Sequence, residues 1–244
     1  MRTFDYSKLS MMKWDGDILR YIAKINECKG RQELYFRQNL VELDRLVKIA
    51  RIQSCDSSNK IEGIVTTSSR MKQLVNDTTM PKTRDEKEII GYRDVLNLIH
   101  DDHDVICIQS NHILQLHKLL LKHTGFSYGG KYKNVQNYIN EVKADNSVVT
   151  RFTPVTPFET PMAIGAICES YQRTVALELV DPLILIATFV GDFLCIHPFN
   201  DGNGRMCRLL MLLLLYQNGY LVGKYISIEK EIENTKDLYY DALS

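Results

Sequence analysis

Two strongly apolar segments separated by a short polar loop place the tightest constraint on how this chain folds. The segments 183–196 and 209–216 are almost entirely apolar, which marks each as a helix that is buried around most of its circumference. Between them, residues 197–208 hold one imidazole, one carboxylate, two carboxamides, two glycines and two guanidiniums. Burying such polar groups is costly unless each is hydrogen-bonded or charge-paired. The sequence therefore predicts a functional site in this loop.

Apolar residues recur at helical spacing through most of the remaining chain, which predicts a mainly α fold, a helical bundle with one β-hairpin flap. We expect helices over about 15–28, 31–53, 84–99, 109–123, 160–179, 182–195, 203–218 and 229–243. Residues 54–63 are rich in capping residues and predict a break followed by a short helical turn. Two β-prone runs around a turn-rich centre, at about 131–156, predict the hairpin. It is either a binding flap or a simple surface loop.

Composition excludes several classes of protein. The 30 basic and 30 acidic residues give no net charge, so no general attraction to nucleic acid is expected. The N-terminus lacks the apolar core of a signal peptide, and Gly191, Asp192 and Gly219 interrupt the apolar segments before they reach the length of a membrane span. The six cysteines show no CxxC pair or zinc spacing. They predict free, buried thiols in a reducing, cytoplasmic compartment.

The loop carries a base and a metal ligand. His197 is its only group that can accept a proton near neutral pH. Asp201 can hold Mg²⁺, which binds through one carboxylate together with phosphate oxygens and waters. By contrast, His112 and His117 lie five residues apart and do not share a helix face. We expect core or surface roles for those two histidines rather than metal ligation.

The loop also provides a cradle for phosphates. Backbone N–H groups are offered at a helix N-terminus by Gly202, Asn203 and Gly204. Arg205 and Arg208 lie on one side of the same helix, where they can clamp phosphates. A base, a metal ligand and such a cradle are the parts that phosphoryl or nucleotidyl transfer requires. The alternative is a helix terminator and an ordinary turn whose arginines pair with surface acids. The number of such groups within twelve residues favours the site.

At these residues the sequence resembles a known family. His-Pro-Phe-Asn-Asp-Gly-Asn-Gly-Arg, residues 197–205, matches the Fic-domain signature HPFx[D/E]GN[G/K]R at every specified position. Arg208 matches the second arginine that is often found three residues later. Helix 109–123, the flap entry 130–133 and the segment 152–154 also look like the Fic core, and 14–67 resembles the N-terminal region of many Fic proteins. The resemblance implies an N-terminal helical region over 1–80 and a Fic core over 81–244, with the flap at 131–156 and the catalytic loop at 197–205.

Membership of this family implies a protein adenylyltransferase (AMPylator). Such an enzyme transfers AMP from ATP to a Ser, Thr or Tyr hydroxyl of a target protein, or of itself, and releases pyrophosphate. His197 would deprotonate the hydroxyl, and Asp201 would hold Mg²⁺ (Mn²⁺ as an alternative) on the α- and β-phosphates. The phosphate ligands implied are Gly202, Asn203 (also toward the α-phosphate), Gly204, Arg205 (γ-phosphate) and Arg208 (β- and γ-phosphates).

The same resemblance implies partners. The flap would align the target protein by strand addition, which needs only backbone groups. Tyr239 and Tyr240 are assigned to the neighbourhood of the adenine. ATP and an unidentified target protein are the expected partners, a homodimer is compatible with the family, and neither membrane nor nucleic acid is expected to bind.

A second motif, Ser58-Asn59-Lys60-Ile61-Glu62-Gly63, matches the inhibitory pattern [S/T]xxxE[G/N] of the class II Fic proteins, in which the inhibitory helix precedes the Fic domain. Ser58 and Glu62 are four residues apart and face the same way on a helix, predicted over about 57–64. The resemblance implies that Glu62 reaches Arg205 and occupies the guanidinium that the γ-phosphate needs. In some such proteins the same glutamate orients water to remove AMP, so Glu62-assisted deAMPylation is a further hypothesis.

Three alternatives to AMP transfer stay open. A kinase branch of the family carries Lys at the position of Gly204 and usually Ala at that of Gly202, so both glycines favour AMP transfer. Other members transfer UMP or phosphocholine. Finally, the loop could sense a nucleotide without turnover, as part of a binding module.

Overall fold

The computed structural model describes residues 4–38, 40–142, 147–236 and 238–239. Over these residues the chain is mainly α with one hairpin, as expected. The helices are α1 (Gly16–Gln38), α2 (Leu40–Ile61), α3 (Ser68–Val75), α4 (Arg84–Asp102), α5 (Ser110–Leu120), α6 (Thr160–Ala176), α7 (Pro182–Ile196), α8 (Asn203–Gln217) and α9 (Ile228–Asn234). Short 3-10 helices cover Tyr6–Met11 and Leu221–Lys224.

The predicted hairpin is present between α5 and α6. Strands β1 (Ile139–Val142) and β2 (Val148–Phe152) pair antiparallel, with Asn140 opposite Thr150 and an irregularity at Ile139. The residues before β1 form an irregular segment that runs back along the helical core. The hairpin is therefore narrower than the predicted range of 131–156, because its first part is a loop.

The two apolar segments form the centre of the core. Helix α7 packs between α6 and α8, and α8 also packs on α4. Phe189 and Phe193 of α7 and Leu209 and Leu213 of α8 are fully buried. Each such side chain contributes about 1.5–3 kcal/mol through burial. Both ends of the polar loop are therefore fixed by helices that cannot shift without opening the core.

The boundaries of α1 and α2 correct the sequence-based expectations. Helix α1 continues through Gly30, because one glycine costs a helix only about 1 kcal/mol relative to alanine. Helix α2 continues through 54–61, where a break was predicted. Three serine hydroxyls there bond buried or half-buried partners on other helices instead of competing with the helix backbone. The pairs are Ser54–Glu229, Ser57–Glu233 and Ser58–Arg208.

The C-terminal helix is interrupted rather than continuous over the predicted range of 229–243. Helix α9 ends at Asn234, a turn follows at 235, and residues 236, 238 and 239 are again helical. Residues 237 and 240–243 of the expected helix lie outside the described residues. Helix α9 packs directly on α2. In the part of the chain that the structure covers, no helix is both long and apolar enough to cross a membrane.

All six cysteines are free thiols, as predicted. Cys55, Cys168 and Cys207 are buried, but Cys28 and Cys107 are exposed, which corrects the expectation of burial for these two. Cys28 lies on the solvent side of α1, and Cys107 lies in the loop before α5.

Candidate active site

The loop after α7 is shaped by its own residues. His197 ends α7 in the left-handed conformation (φ 50°), and Gly202 begins α8 with φ 83°. The Asn203 side chain is buried and bonds both backbone polar groups of Phe199, accepting from its N–H and donating to its carbonyl at 2.8 Å each. The Asn203 carboxamide thereby closes the loop, and its backbone N–H remains at the start of α8.

His117 supports the loop from beneath. Its ring stacks on Phe199, with centroids 3.6 Å apart and planes 12° apart. The Gly130 N–H donates to His117 Nδ1 at 3.1 Å, so Nε2 carries the proton and donates to the Asp201 carbonyl at 3.1 Å. Burial lowers the pKa of His117 to about 4. The predicted core role is confirmed, and the core residue orients the loop.

His197 is a neutral imidazole at physiological pH. Burial is the main cause that lowers its pKa to about 4, and the charge of Lys133 lowers it further. The Leu194 carbonyl and the Glu62 carboxylate act in the opposite direction. An unprotonated imidazole can accept a proton from an incoming hydroxyl. The His197 side chain is therefore chemically able to act as a base, and its catalytic role stays a prediction.

Asp201 lies at the open side of the loop. Its Oδ1 accepts from the Gly202 N–H at 2.6 Å, and its side chain is 39% exposed. Mg²⁺ is commonly held by a single carboxylate with phosphates and waters, so this side chain fits a cation that arrives with a nucleotide. No group of three His, Cys, Asp or Glu side chains in the described ranges could hold a metal on its own.

Arg205 forms a buried ion pair that the sequence did not predict. Its Nη2 lies 2.8 Å from Glu88 Oε2, and both side chains are at least 97% buried. Arg205 Nε and Nη1 have no hydrogen-bond partner among the described residues. The sequence does contain a pattern that indicates the burial of Glu88. Residues 88, 92, 95 and 99 recur at helical spacing and share the core face of α4. Glu88 holds the guanidinium in place and leaves two donors for an anion.

Arg208 bonds the motif of residues 58–63, for which an inhibitory role was predicted. Its Nε donates to Ser58 Oγ at 2.8 Å, and its Nη2 donates to the Ser58 carbonyl at 2.9 Å and to Glu62 Oε1 at 2.7 Å. The predicted pairing of Glu62 with Arg205 is therefore corrected. Arg205 turns toward α4 and Glu88, whereas α2 approaches α8 on the side of Arg208. The prediction that Ser58 and Glu62 share a face is confirmed.

The end of α2 aims Glu62 at this position. The Gly63 N–H donates to the Lys60 carbonyl, and the Ile64 N–H donates to the Asn59 carbonyl. This pattern is a Schellman motif, in which the residue after the helix is left-handed. Gly63 supplies that conformation with φ 78°. The pattern [S/T]xxxE[G/N] specifies Gly or Asn after the glutamate. These residues tolerate the left-handed backbone best, which gives that part of the pattern a conformational reason.

The Glu62 carboxylate lies directly over the first turn of α8. A Cβ added at Gly204 would overlap Glu62 Oε1. The first turn of a helix exposes unpaired N–H groups and favours negative charge. Glu62 therefore occupies the position predicted for phosphate oxygens, with Gly204 leaving the space for it.

Tyr239 lies near this end of the site. It is half-buried. Burial raises the pKa of Cys207 to about 12, and a hydrogen bond with Tyr239 offsets only part of that rise. Burial acts to lower the pKa of Arg208, but Glu62 and, to a smaller extent, Tyr239 hold it above its ordinary value. Tyr240 lies outside the described residues. The adenine contact assigned to both tyrosines stays a prediction.

Comparison with known proteins agrees with this geometry. Residues 107–215 match the Fic/DOC family. The chain is 29% identical over 209 residues to "Protein adenylyltransferase Fic" of Aedes aegypti, covering 82% of this chain and 38% of that protein. The protein of the same name from Nematostella vectensis is 25% identical over 184 residues, covering 73% of this chain and 40% of that protein. The chain thus spans about two fifths of the length of these relatives. A crystal structure of a Fic family protein from Desulfovibrio desulfuricans G20 has a TM-score of 0.77 at 24% identity, covering 95% of this chain and 67% of that one.

Proposed function

Because the chain belongs to the Fic/DOC family through residues 107–215, we propose that it is a protein adenylyltransferase that transfers AMP from ATP to protein hydroxyls, its own included. One observation carries the proposal. A neutral buried imidazole and two buried guanidiniums converge on one helix N-terminus, and one guanidinium has two donors without a partner among the described residues. That combination suits a polyphosphate and a hydroxyl nucleophile.

The reaction follows from these groups. His197 takes the proton of a Ser, Thr or Tyr hydroxyl, and the oxygen forms a bond to the α-phosphorus of ATP. The bond between that phosphorus and the oxygen bridging to the β-phosphate breaks, and pyrophosphate leaves with the electron pair. Arg205, through Nε and Nη1, and Arg208 neutralise the charge on the departing phosphates. Asp201 would hold Mg²⁺ or Mn²⁺, which supplies further neutralisation of the phosphates when bound.

Glu62 acts as a brake in this proposal. Arg208 is 1% exposed and already holds the Glu62 carboxylate, so a phosphate can reach Arg208 only by displacing it. Phosphates must also displace the carboxylate from above Gly204. ATP then binds weakly or in an unproductive pose. Glu62 pairs with Arg208 and not, as predicted, with Arg205. The carboxylate and the phosphates therefore still compete in this proposal, but for the guanidinium of Arg208.

A Glu62-assisted removal of AMP is a second activity of the same site. Glu62 is close enough to His197 to raise its pKa. A carboxylate beside the imidazole could orient a water toward the α-phosphorus of AMP attached to a protein. The hairpin β1–β2 offers strand edges on which a target segment could dock by main-chain hydrogen bonds.

The test uses ATP labelled at one phosphate at a time. The Glu62→Gly chain is incubated with Mg²⁺ and either α-³²P-ATP or γ-³²P-ATP, and labelled protein is counted after electrophoresis. Label from the α-phosphate alone supports AMP transfer, and His197→Ala should abolish it. Label from the γ-phosphate would assign kinase chemistry instead. No label, with ATP still bound, would assign a nucleotide-sensing module. Labelled UTP or CDP-choline tests the other groups that a transferase of this kind could move.

A further inference from the structure

The segment that leads into the hairpin is bonded to the backbone of the catalytic loop. Lys133 Nζ donates to the Ile196 carbonyl at 3.0 Å, and the Lys133 N–H donates to the Pro198 carbonyl at 2.8 Å. Asn137 Nδ2 donates to the His197 carbonyl at 3.4 Å and to the Phe199 carbonyl at 3.1 Å. Four successive carbonyls around His197 are thus bonded by two residues.

These bonds fall where the backbone needs support. The last carbonyls of a helix lack intrahelical partners, and a cation near a helix C-terminus is stabilising. His197 is also held in the left-handed conformation, which costs a residue other than glycine about 1–2 kcal/mol. The contacts from Lys133 and Asn137 offset that cost and fix the direction in which the imidazole leaves the backbone.

Lys133 is a buried cation that pairs with no carboxylate among the side chains that the structure describes. The residue is 3% exposed, and its Nζ donates to two neutral oxygens, that of Ile196 at 3.0 Å and that of the Asn137 side chain at 2.9 Å. Burial lowers its pKa to about 8. Since an unpaired ammonium is costly to bury, its position beside His197 calls for a role beyond packing.

We propose that Lys133 and Asn137 are positioning residues for His197. Together they hold its backbone, and the ammonium of Lys133 adds to the effect of burial, which disfavours protonation of the imidazole. The inference rests on the proposed function, in which His197 is the base. Gln136 joins the two ends of the flap, donating from Nε2 to the carbonyls of Asn137 and Pro154 at 3.0 Å each. A target strand docked on the hairpin therefore acts on the same segment that holds His197.

The charge effect has a defined sign. The charged groups that act on His197 are Lys133, which lowers its pKa, and Glu62 of α2, which raises it. Replacing Lys133 by a neutral side chain removes a repulsion between two cations. The imidazole of the variant should then take up its proton at higher pH than in the native chain.

The first experiment does not depend on AMP transfer. The His197 imidazole is titrated by ¹⁵N–¹H NMR in the native chain, in Lys133→Met and in Lys133→Arg, with its signal assigned from His197→Ala. We expect its pKa to rise by about one unit in Lys133→Met and to stay low in Lys133→Arg. An unchanged His197 pKa in Lys133→Met would overturn the role of the charge, whatever the chain catalyses.

The second experiment measures the backbone role in the Glu62→Gly background. Asn137→Ala should lower the kcat of AMP transfer about tenfold or more, with little change in the KM for ATP, because even a small displacement of a catalytic group lowers the reaction rate steeply. Asn134→Ala is the matched control, since Asn134 lies on the same segment, is exposed, and accepts a hydrogen bond from the Asn200 side chain instead of donating to the carbonyls of 196–199. An Asn137→Ala variant that folds normally and keeps the parent kcat would overturn the inference. Absence of AMP transfer in the Glu62→Gly parent would instead reject the proposed function.

Discussion

Replacing Glu62 by glutamine should raise the affinity for ATP and the rate of AMP transfer together. The substitution keeps the shape of the side chain and removes the charge that holds Arg208. Arg208 retains its two bonds to Ser58, so its position should persist. The change therefore isolates the competition between a carboxylate and phosphates for one guanidinium.

The magnitude follows from the contact. A hydrogen bond between charged groups contributes about 1.5–3 kcal/mol. The Glu62 side chain is 32% exposed, whereas Arg208 is buried, so solvent screening reduces the contribution to about 1–2 kcal/mol. At 1.36 kcal/mol per tenfold change, the expected gain is about 5–30-fold.

The assay is calorimetric titration with α,β-methylene-ATP, which cannot release pyrophosphate, in parallel with self-AMPylation from labelled ATP. We expect the Kd of the Glu62→Gln chain to fall by about 5–30-fold, as worked from the contact above, and its labelling rate to rise at least as much. Glu169→Gln, at an exposed position on α6, is the matched control and should change neither. A native Kd in Glu62→Gln would refute the competition for Arg208.

Three further predictions concern the supporting structure. Glu88→Ala leaves the buried Arg205 without its carboxylate and should lower the free energy of unfolding by about 3–5 kcal/mol in urea; a loss under about 1 kcal/mol would contradict the structure. Burial lowers the pKa values of His100, His117 and His197 to about 4, so the unfolded chain binds these protons first. The free energy of unfolding should therefore decline as the pH falls from about 6.5 to about 4. The decline should be less steep in His117→Gln. Urea midpoints with the same pH dependence in the native chain and in His117→Gln would contradict a buried, neutral His117 ring. Ser57→Ala removes a 2.6 Å hydrogen bond between α2 and Glu233 of α9. If that bond helps to hold Glu62 in place, the substitution should raise the rate of AMP transfer in the native chain but not in Glu62→Gly. Equal effects in both backgrounds would show that α9 does not act through Glu62.

The position of the candidate site in the loop 197–208 was predictable because its chemistry is local. Two helices too apolar to face water bracket a run of polar residues, and a helix N-terminus with glycines favours anions in any fold. The helical class and the hairpin followed from residue periodicity in the same way. No tertiary information was needed for these conclusions.

The partners of the loop residues were not predictable in the same way. Arg205 and Arg208 are three residues apart and share one side of α8, so spacing alone could not decide which of them meets Glu62. The answer depends on α4 bringing Glu88 to Arg205 and on α2 approaching from the other side. The segment 130–133 was identified as the entry to the flap, but the burial of Lys133 was not predictable, because it results from the path of an irregular segment rather than from periodicity.

The contact between Glu62 and Arg208 has a consequence for how the chain acquires its native state. The two residues are 146 positions apart, so their contact forms only after distant parts of the chain have been synthesised and have docked. The guanidinium that completes the anion site is also the group that fastens the carboxylate over it. Under the proposed function, docking of α2 on α8 would therefore assemble the anion site and cover it in a single event, so that a newly made molecule would reach its folded state already closed.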